Sequence, residues 1–281
     1  MHKTITVAMA AASLLALSAC KQNAGYDNAS SNAAAPASTA ATGADAINGT
    51  WKTDVSSIKM DSKPDQFLLK DGQFSCPTCT PPLTVAADGA FHPVSRPYAD
   101  HMSVKVDDDH NVTRTNQKGG KTTYEAKYSV SGDGNTLTIT FNDTSGTKPV
   151  TGSVAETRAA PAPAGAHAIS GSWQPQKLNN VSDEGLTVTF NADNDMLHMT
   201  TPSGLSYDAK LDGTEAPLKG DIGGTTVSVK KLADGSYEET DKRGGKVVDV
   251  VTMTVGADGK LTFKDENKQN GSTTTSVANK Q

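Results

Sequence analysis

The chain has 281 residues and a formal net charge of −5, with 35% hydrophobic and 5% aromatic residues. That length suits two small domains. The acidic balance, with charges of both signs scattered along the chain, offers no basic surface for nucleic acid.

The chain opens with a short polar start, His2 and Lys3, and an apolar run from Ile5 to Leu17 that is too short to span a bilayer comfortably. Leu17-Ser18-Ala19-Cys20 follows, and it resembles the lipobox of bacterial, Gram-negative lipoproteins. The resemblance implies a signal peptide over residues 1–19 and a lipidated Cys20 as the first mature residue. Several acyl chains at ~0.8 kcal/mol per buried methylene make a stable membrane anchor. Lys21 stands where an Asp would signal retention at the inner membrane. By the same resemblance, the expected address is the outer membrane, on its periplasmic face or at the cell surface. An ordinary secretory signal with an incidental cysteine is the competing reading. Residues 20–46 are mostly Ala, Ser, Asn and Thr, too poor in bulky apolar groups to offset the entropy of ordering, and read as a flexible tether.

The remainder is written twice. Ser103-Val104-Lys105 returns at Ser228, Gly119-Gly120-Lys121 at Gly244, and Asp133-Gly134 at Asp258, all at an offset of 125 (228−103, 244−119, 258−133). Ile-Asn-Gly-Thr-Trp51 returns as Ile-Ser-Gly-Ser-Trp173. The repeats are read as residues 47–158 and 169–281, joined by a linker at 159–168 rich in Ala and Pro, a semi-stiff spacer. Each repeat carries its own set of strands and its own Gly-x-Trp opening, so each is expected to fold alone.

In the first repeat Met102, Val104 and Val106 alternate with polar residues, as do Tyr124, Ala126, Tyr128 and Val130, then Leu137, Ile139 and Phe141. Period two over such lengths predicts strands with one buried face. Asp107-Asp108-Asp109-His110, Lys118-Gly119-Gly120 and Gly132-Asp133-Gly134 supply hairpin turns between them. Weaker strands are expected near Trp51 and at 67–70, 83–86, 91–94 and 151–158. The second repeat reproduces the pattern with Leu186, Val188 and Phe190, with Val251, Met253 and Val255, and with Leu261 and Phe263. No stretch has a helical period. The fold class is therefore all-β, two tandem antiparallel meanders, and closure into barrels would remove the exposed edges.

The Gly-x-Trp at the head of each repeat, Gly49 with Trp51 and Gly171 with Trp173, is similar to the opening motif of the lipocalins and wider calycins. That likeness implies up-and-down barrels in which the Trp plugs the closed end and a basic residue of the last strand packs over it. Arg158 is the natural partner of Trp51, and Lys280 the candidate for Trp173. The later lipocalin motifs and the C-terminal helix are absent from the sequence, which leaves an open sandwich as the alternative.

Cys76 and Cys79 are the two cysteines left once Cys20 is acylated. In an oxidising envelope they are expected to form a structural disulfide. A thioredoxin-like redox site would need a helix after the first Cys. A zinc site would draw on His92 and His101, but the second gap is too long for the usual pattern.

No phosphate loop, nucleophile elbow or zinc-protease signature is present, so neither catalytic residues nor cofactors nor metal ligands are assigned, and the chain is read as non-catalytic. The first repeat has eight aromatic residues against five in the second. Met102, Tyr124, Tyr128 and Phe141 are thus the expected lining of a pocket for a small apolar or amphipathic ligand. An envelope protein or cell-wall interaction module built from packed barrels is the second reading.

Overall fold

The computed structural model describes residues 45–281. The signal segment, Cys20 and the tether up to residue 44 lie outside the described residues. In chain order the strands are β1 (Gly49–Thr53), β2 (Lys59–Asp61), β3 (Asp65–Lys70), β4 (Gln73–Cys76), β5 (Leu83–Ala86), β6 (Phe91–Arg96), β7 (Ala99–Val106), β8 (Asn111–Lys118), β9 (Lys121–Val130), β10 (Thr136–Asp143) and β11 (Val150–Ala160). They continue with β12 (Gly171–Asn179), β13 (Thr187–Asp193), β14 (Met196–Thr200), β15 (Ser206–Lys210), β16 (Asp212–Pro217), β17 (Thr225–Lys231), β18 (Tyr237–Arg243), β19 (Lys246–Val255), β20 (Leu261–Asn267) and β21 (Thr273–Lys280). A four-residue helix, Asp183–Leu186, sits between β12 and β13.

These strands make two antiparallel, nearly closed barrels, as the alternation predicts. Barrel 1 has the order β5-β4-β3-β12-β11-β10-β9-β8-β7-β6. Barrel 2 has the order β15-β14-β13-β1-β21-β20-β19-β18-β17-β16, with β2 on the side of β21. Barrel 2 closes through paired backbone bonds between Ser206 and Lys219, 2.8 and 3.1 Å.

The barrels are not cut where the sequence repeats are. β1, from the first repeat, lies between β13 and β21 of barrel 2. β12, from the second repeat, lies between β3 and β11 of barrel 1. The chain thus enters barrel 2, leaves it after β2, builds all of barrel 1 from β3 to β12 without interruption, and returns to finish barrel 2. Barrel 1 is an insertion in barrel 2. This corrects the expectation that 47–158 and 169–281 fold separately. The two opening strands carry the same Ile-x-Gly-x-Trp pattern, so either fits either barrel by its side chains. Connectivity decides: the segment after β11 turns back with Ala166 N donating to Pro163 O and Ser170 N to His167 O, which delivers β12 to the adjacent edge.

The exchange also re-pairs the opening tryptophans with their basic neighbours. Trp51 and Trp173 are both fully buried, and each indole Nε1 donates to the carbonyl four residues earlier, Ile47 at 2.7 Å and Ile169 at 2.8 Å. Arg158 stacks at 3.9 Å over Trp173, not over Trp51. Lys280 lies 5.4 Å from the Trp51 ring. Gly49 and Gly171 have φ of 127° and 125°, and a Cβ on them would meet Lys280 Cε at 2.6 Å or Arg158 Nη1 at 2.7 Å. The glycine of the motif is needed because the basic side chain crosses over it.

Each barrel has its own core. Barrel 1 packs Phe67, Phe74, Met102, Val104, Leu137 and Trp173 among others. Barrel 2 packs Trp51, Phe190, Leu197, Tyr207, Met253 and Phe263. A third, smaller cluster of Phe141, Val150, Leu178, Val181 and Leu186, joined by Val55 and Ile58, bridges them. Among the described residues, no helix is long and apolar enough to cross a membrane.

A polar cavity in barrel 1

β8 runs from the 107–110 turn to the Gly119-Gly120 turn, and its inward positions are Val112, Arg114 and Asn116. The backbone period of two sends all three side chains inside, although two are polar. Arg114 is 5% exposed and Asn116 is 2% exposed. Both line a cavity of about 170 Å³ inside barrel 1, together with Tyr124, Tyr128, Phe141 and Arg96. The far wall comes from barrel 2, with Arg243, Asn267, Gln269 and Asn270.

The Arg114 guanidinium carbon lies 5.3 Å from the ring centre of Tyr124 and 5.7 Å from that of Tyr128. Tyr124 in turn stacks on Phe141, and Tyr128 meets Phe67 edge-on at 5.5 Å. The rings thus hold the guanidinium by cation–π contact. Its Nε is buried without an acceptor among the described residues. Asn116 Oδ1 is likewise buried with no hydrogen-bond partner among the described residues, whereas Glu156 shares a side-chain hydrogen bond with Asp65.

Asp65, from β3, and Glu156, from β11, also line the cavity. Burial, and then the neighbouring Asp65 carboxyl, push Glu156 well above its ordinary value. Burial raises Asp143 as well, and it raises the phenols of Tyr124 and Tyr128. Arg96 donates to the carbonyls of Thr80 and Pro81, and burial with the nearby Arg114 lowers it to about 10. The cavity lining therefore carries three guanidinium groups, Arg96, Arg114 and Arg243, and four carboxyl groups, Asp65, Asp143, Glu156 and Asp249.

Tyr124, Tyr128 and Phe141 of the expected lining stand at the cavity wall. Met102 does not; it is 1% exposed and packed in the core of barrel 1. Cys76 and Cys79 are bonded to each other with Cα atoms 5.3 Å apart, so their sulfurs are not free to bind zinc, and Cys79 backs the cavity. The histidine–carboxylate pairs, His92 with Asp88, His101 with Asp100, and His198 with Asp208, are on the outside, and none lines the cavity. Among the described residues, no group of three or more His, Cys, Asp or Glu is placed to hold a metal.

Arg114 and Asn116 escape the sequence reading because the usual signal is apolar alternation, and here the inward face is polar. Two turns eight residues apart, at 107–110 and 118–120, were the available sign that a strand lies between. The 125-residue offset shows how the second barrel differs. Arg114 corresponds to Glu239 (239−114) and Asn116 to Asp241 (241−116). In barrel 2 Tyr207 OH donates to Glu239 Oε2 at 2.6 Å, and Asn267 Nδ2 donates to Asp249 at 2.9 Å. Glu239 finds its partner within the barrel, whereas Arg114 does not.

Comparison with protein-family models, with curated proteins and with solved structures finds no match.

Proposed function

We propose that this chain is a lipid-anchored envelope protein, without catalytic activity, that binds a small amphipathic ligand inside barrel 1. The observation that carries the binding reading is the cavity holding the Arg114 guanidinium, whose buried Nε has no hydrogen-bonding partner among the described residues. A buried donor left unmade costs about 1–3 kcal/mol, more when charged. A bound acceptor offsets that cost, and a cavity with aromatic walls and a few convergent polar groups is the usual form of a small-molecule site. The surface location of the Asp–His pairs, outside the cavity, supports a non-catalytic role. The membrane anchor is supported by Leu17-Ser18-Ala19-Cys20, and the outer-membrane address by Lys21.

Native mass spectrometry of the full chain, purified from its own envelope, tests the binding reading. A small-molecule adduct is expected, and Ile139→Trp, which fills the cavity from its wall, is expected to lose it. Identical adducts in both proteins would move the site out of barrel 1. For the anchor, Cys20→Ser is expected to leave the detergent phase on partitioning, and its retention there would remove the lipoprotein reading.

A further inference from the structure

Two unpartnered atoms on β8 specify a chemistry as well as a site. Arg114 Nε is a charged donor, and Asn116 Oδ1, on the same inward face, is an acceptor. Asp65, Asp143, Glu156 and Asp249 also line the space, as do Arg96 and Arg243, but the Arg114 guanidinium meets the rings of Tyr124 and Tyr128. A bound molecule that meets both atoms is anionic where it touches Arg114 and carries a hydrogen-bond donor where it touches Asn116. The cavity, about 170 Å³, is close in size to the engineered cavity of about 150 Å³ that accepts benzene. It has room for one ring and a few further atoms, and none for a long acyl chain. The walls are flat rings, Tyr124 on Phe141 and Tyr128 on Phe67.

We propose that barrel 1 selects a compact aromatic carboxylate bearing a hydroxyl or amino group, with the carboxylate on Arg114 and the donor on Asn116. This rests on the reading of barrel 1 as a ligand site. Arg114 sets the preference for an anion, and Asn116 the preference for a donor.

Calorimetric titration of the full chain with 4-hydroxybenzoate, 4-hydroxybenzamide and benzoate tests it. The amide matches the acid in shape and lacks the charge; benzoate lacks the donor. The acid is expected to bind about tenfold or more tightly than the amide, the factor that one charge-assisted hydrogen bond supplies. Benzoate is expected to bind several-fold more weakly than the hydroxy acid, and equal affinity for the two would overturn the donor contact at Asn116. Arg114→Met is expected to abolish the preference for acid over amide. It is also expected to raise the melting temperature of the unliganded protein, because a buried charge without hydrogen bonds is replaced by an apolar side chain of similar length. A lowered melting temperature would make Arg114 a structural residue and overturn the assignment. Equal affinity for acid and amide in the unaltered protein would overturn the chemical class while leaving barrel 1 a binding site. Binding of none of the three would remove the class and the site reading together, with Arg114 then met by water alone.

Discussion

Arg158 and Lys280 occupy the same place over the two opening tryptophans and differ in how they hold it. Arg158 donates to three carbonyls, Gly134 at 2.5 Å, Ser170 at 2.8 Å and Ala168 at 2.9 Å, while stacking on Trp173. Lys280 is exposed and offers its ring contact alone among the described interactions. Arg158→Met should therefore cost about 2–3 kcal/mol in denaturant unfolding, since charge-assisted hydrogen bonds are lost and carbonyls are left unmet. Lys280→Met should cost about 1 kcal/mol or less. The reverse ranking would show that the cap over Trp173 is ornamental. Glu156 gives a pH signature. Its folded pKa is raised above the ordinary 4.5, so the folded chain keeps a proton that the unfolded chain has lost. Its contribution is most favourable below about pH 4.5 and is lost as the pH climbs through the raised folded value. Glu156→Gln should flatten the decline of melting temperature above pH 4.5, and parallel profiles for the two proteins would refute this. The aromatic wall residues were legible from the alternation in β9 and β10. Arg114 and Asn116 were not, because an inward polar face has no hydrophobic period.

The opening strands carry the largest departure from what the repeats suggest. β1 holds barrel 2 through register with β13 and β21 and through Trp51, which is 1% exposed. Trp51→Ala should lower the stability of barrel 2 by about 3–5 kcal/mol and leave the amide exchange of barrel 1 strands largely unchanged. A loss confined to barrel 1 would contradict the exchange. The fragments make the same point more sharply. Residues 62–181 contain every strand of barrel 1 in one piece and should unfold cooperatively alone. Residues 182–281 lack a strand between β13 and β21, and should gain a cooperative melt on adding a peptide of residues 45–61. The peptide contributes more than a strand. Asp45 accepts from Tyr237 OH at 2.6 Å and pairs with Lys231, and Ile47 is 1% exposed. If the halves 47–158 and 169–281 each melt cooperatively alone, the exchange does not hold in solution.

At the scale of the molecule, barrel 2 acts as the lid of barrel 1's cavity. Arg243 donates to Tyr98 OH at 2.6 Å and lies 4.9 Å from its ring centre. Thr147 N donates to Ser203 O at 2.8 Å, and Lys118 reaches the carbonyls of Pro97 and Ile222. Gly223 lies against Tyr98 so closely that a Cβ would fall 2.6 Å from the ring. Gly223→Val should wedge this contact open. The expected readout is faster amide exchange around residues 97–99 and 222–225, with the strands of both cores unchanged. Unaltered exchange at those amides would mean that the barrels do not rely on this contact.

By itself the sequence determined most of the strands, the turns between them, the all-β class, the tandem repeat, the two Gly-x-Trp openings and the cysteine pair, since each is a local pattern of period, turn chemistry or spacing, but not β8, whose inward face is polar. Tertiary structure alone decided which opening strand completes which barrel, because β1 and β12 present the same side chains and only connectivity distinguishes them. It alone brought Arg114, Asn116 and Glu156 together with the wall from barrel 2. Glu156 and the barrel 2 residues are far along the chain from Arg114 and Asn116, and closure of the barrel is what places them around one space.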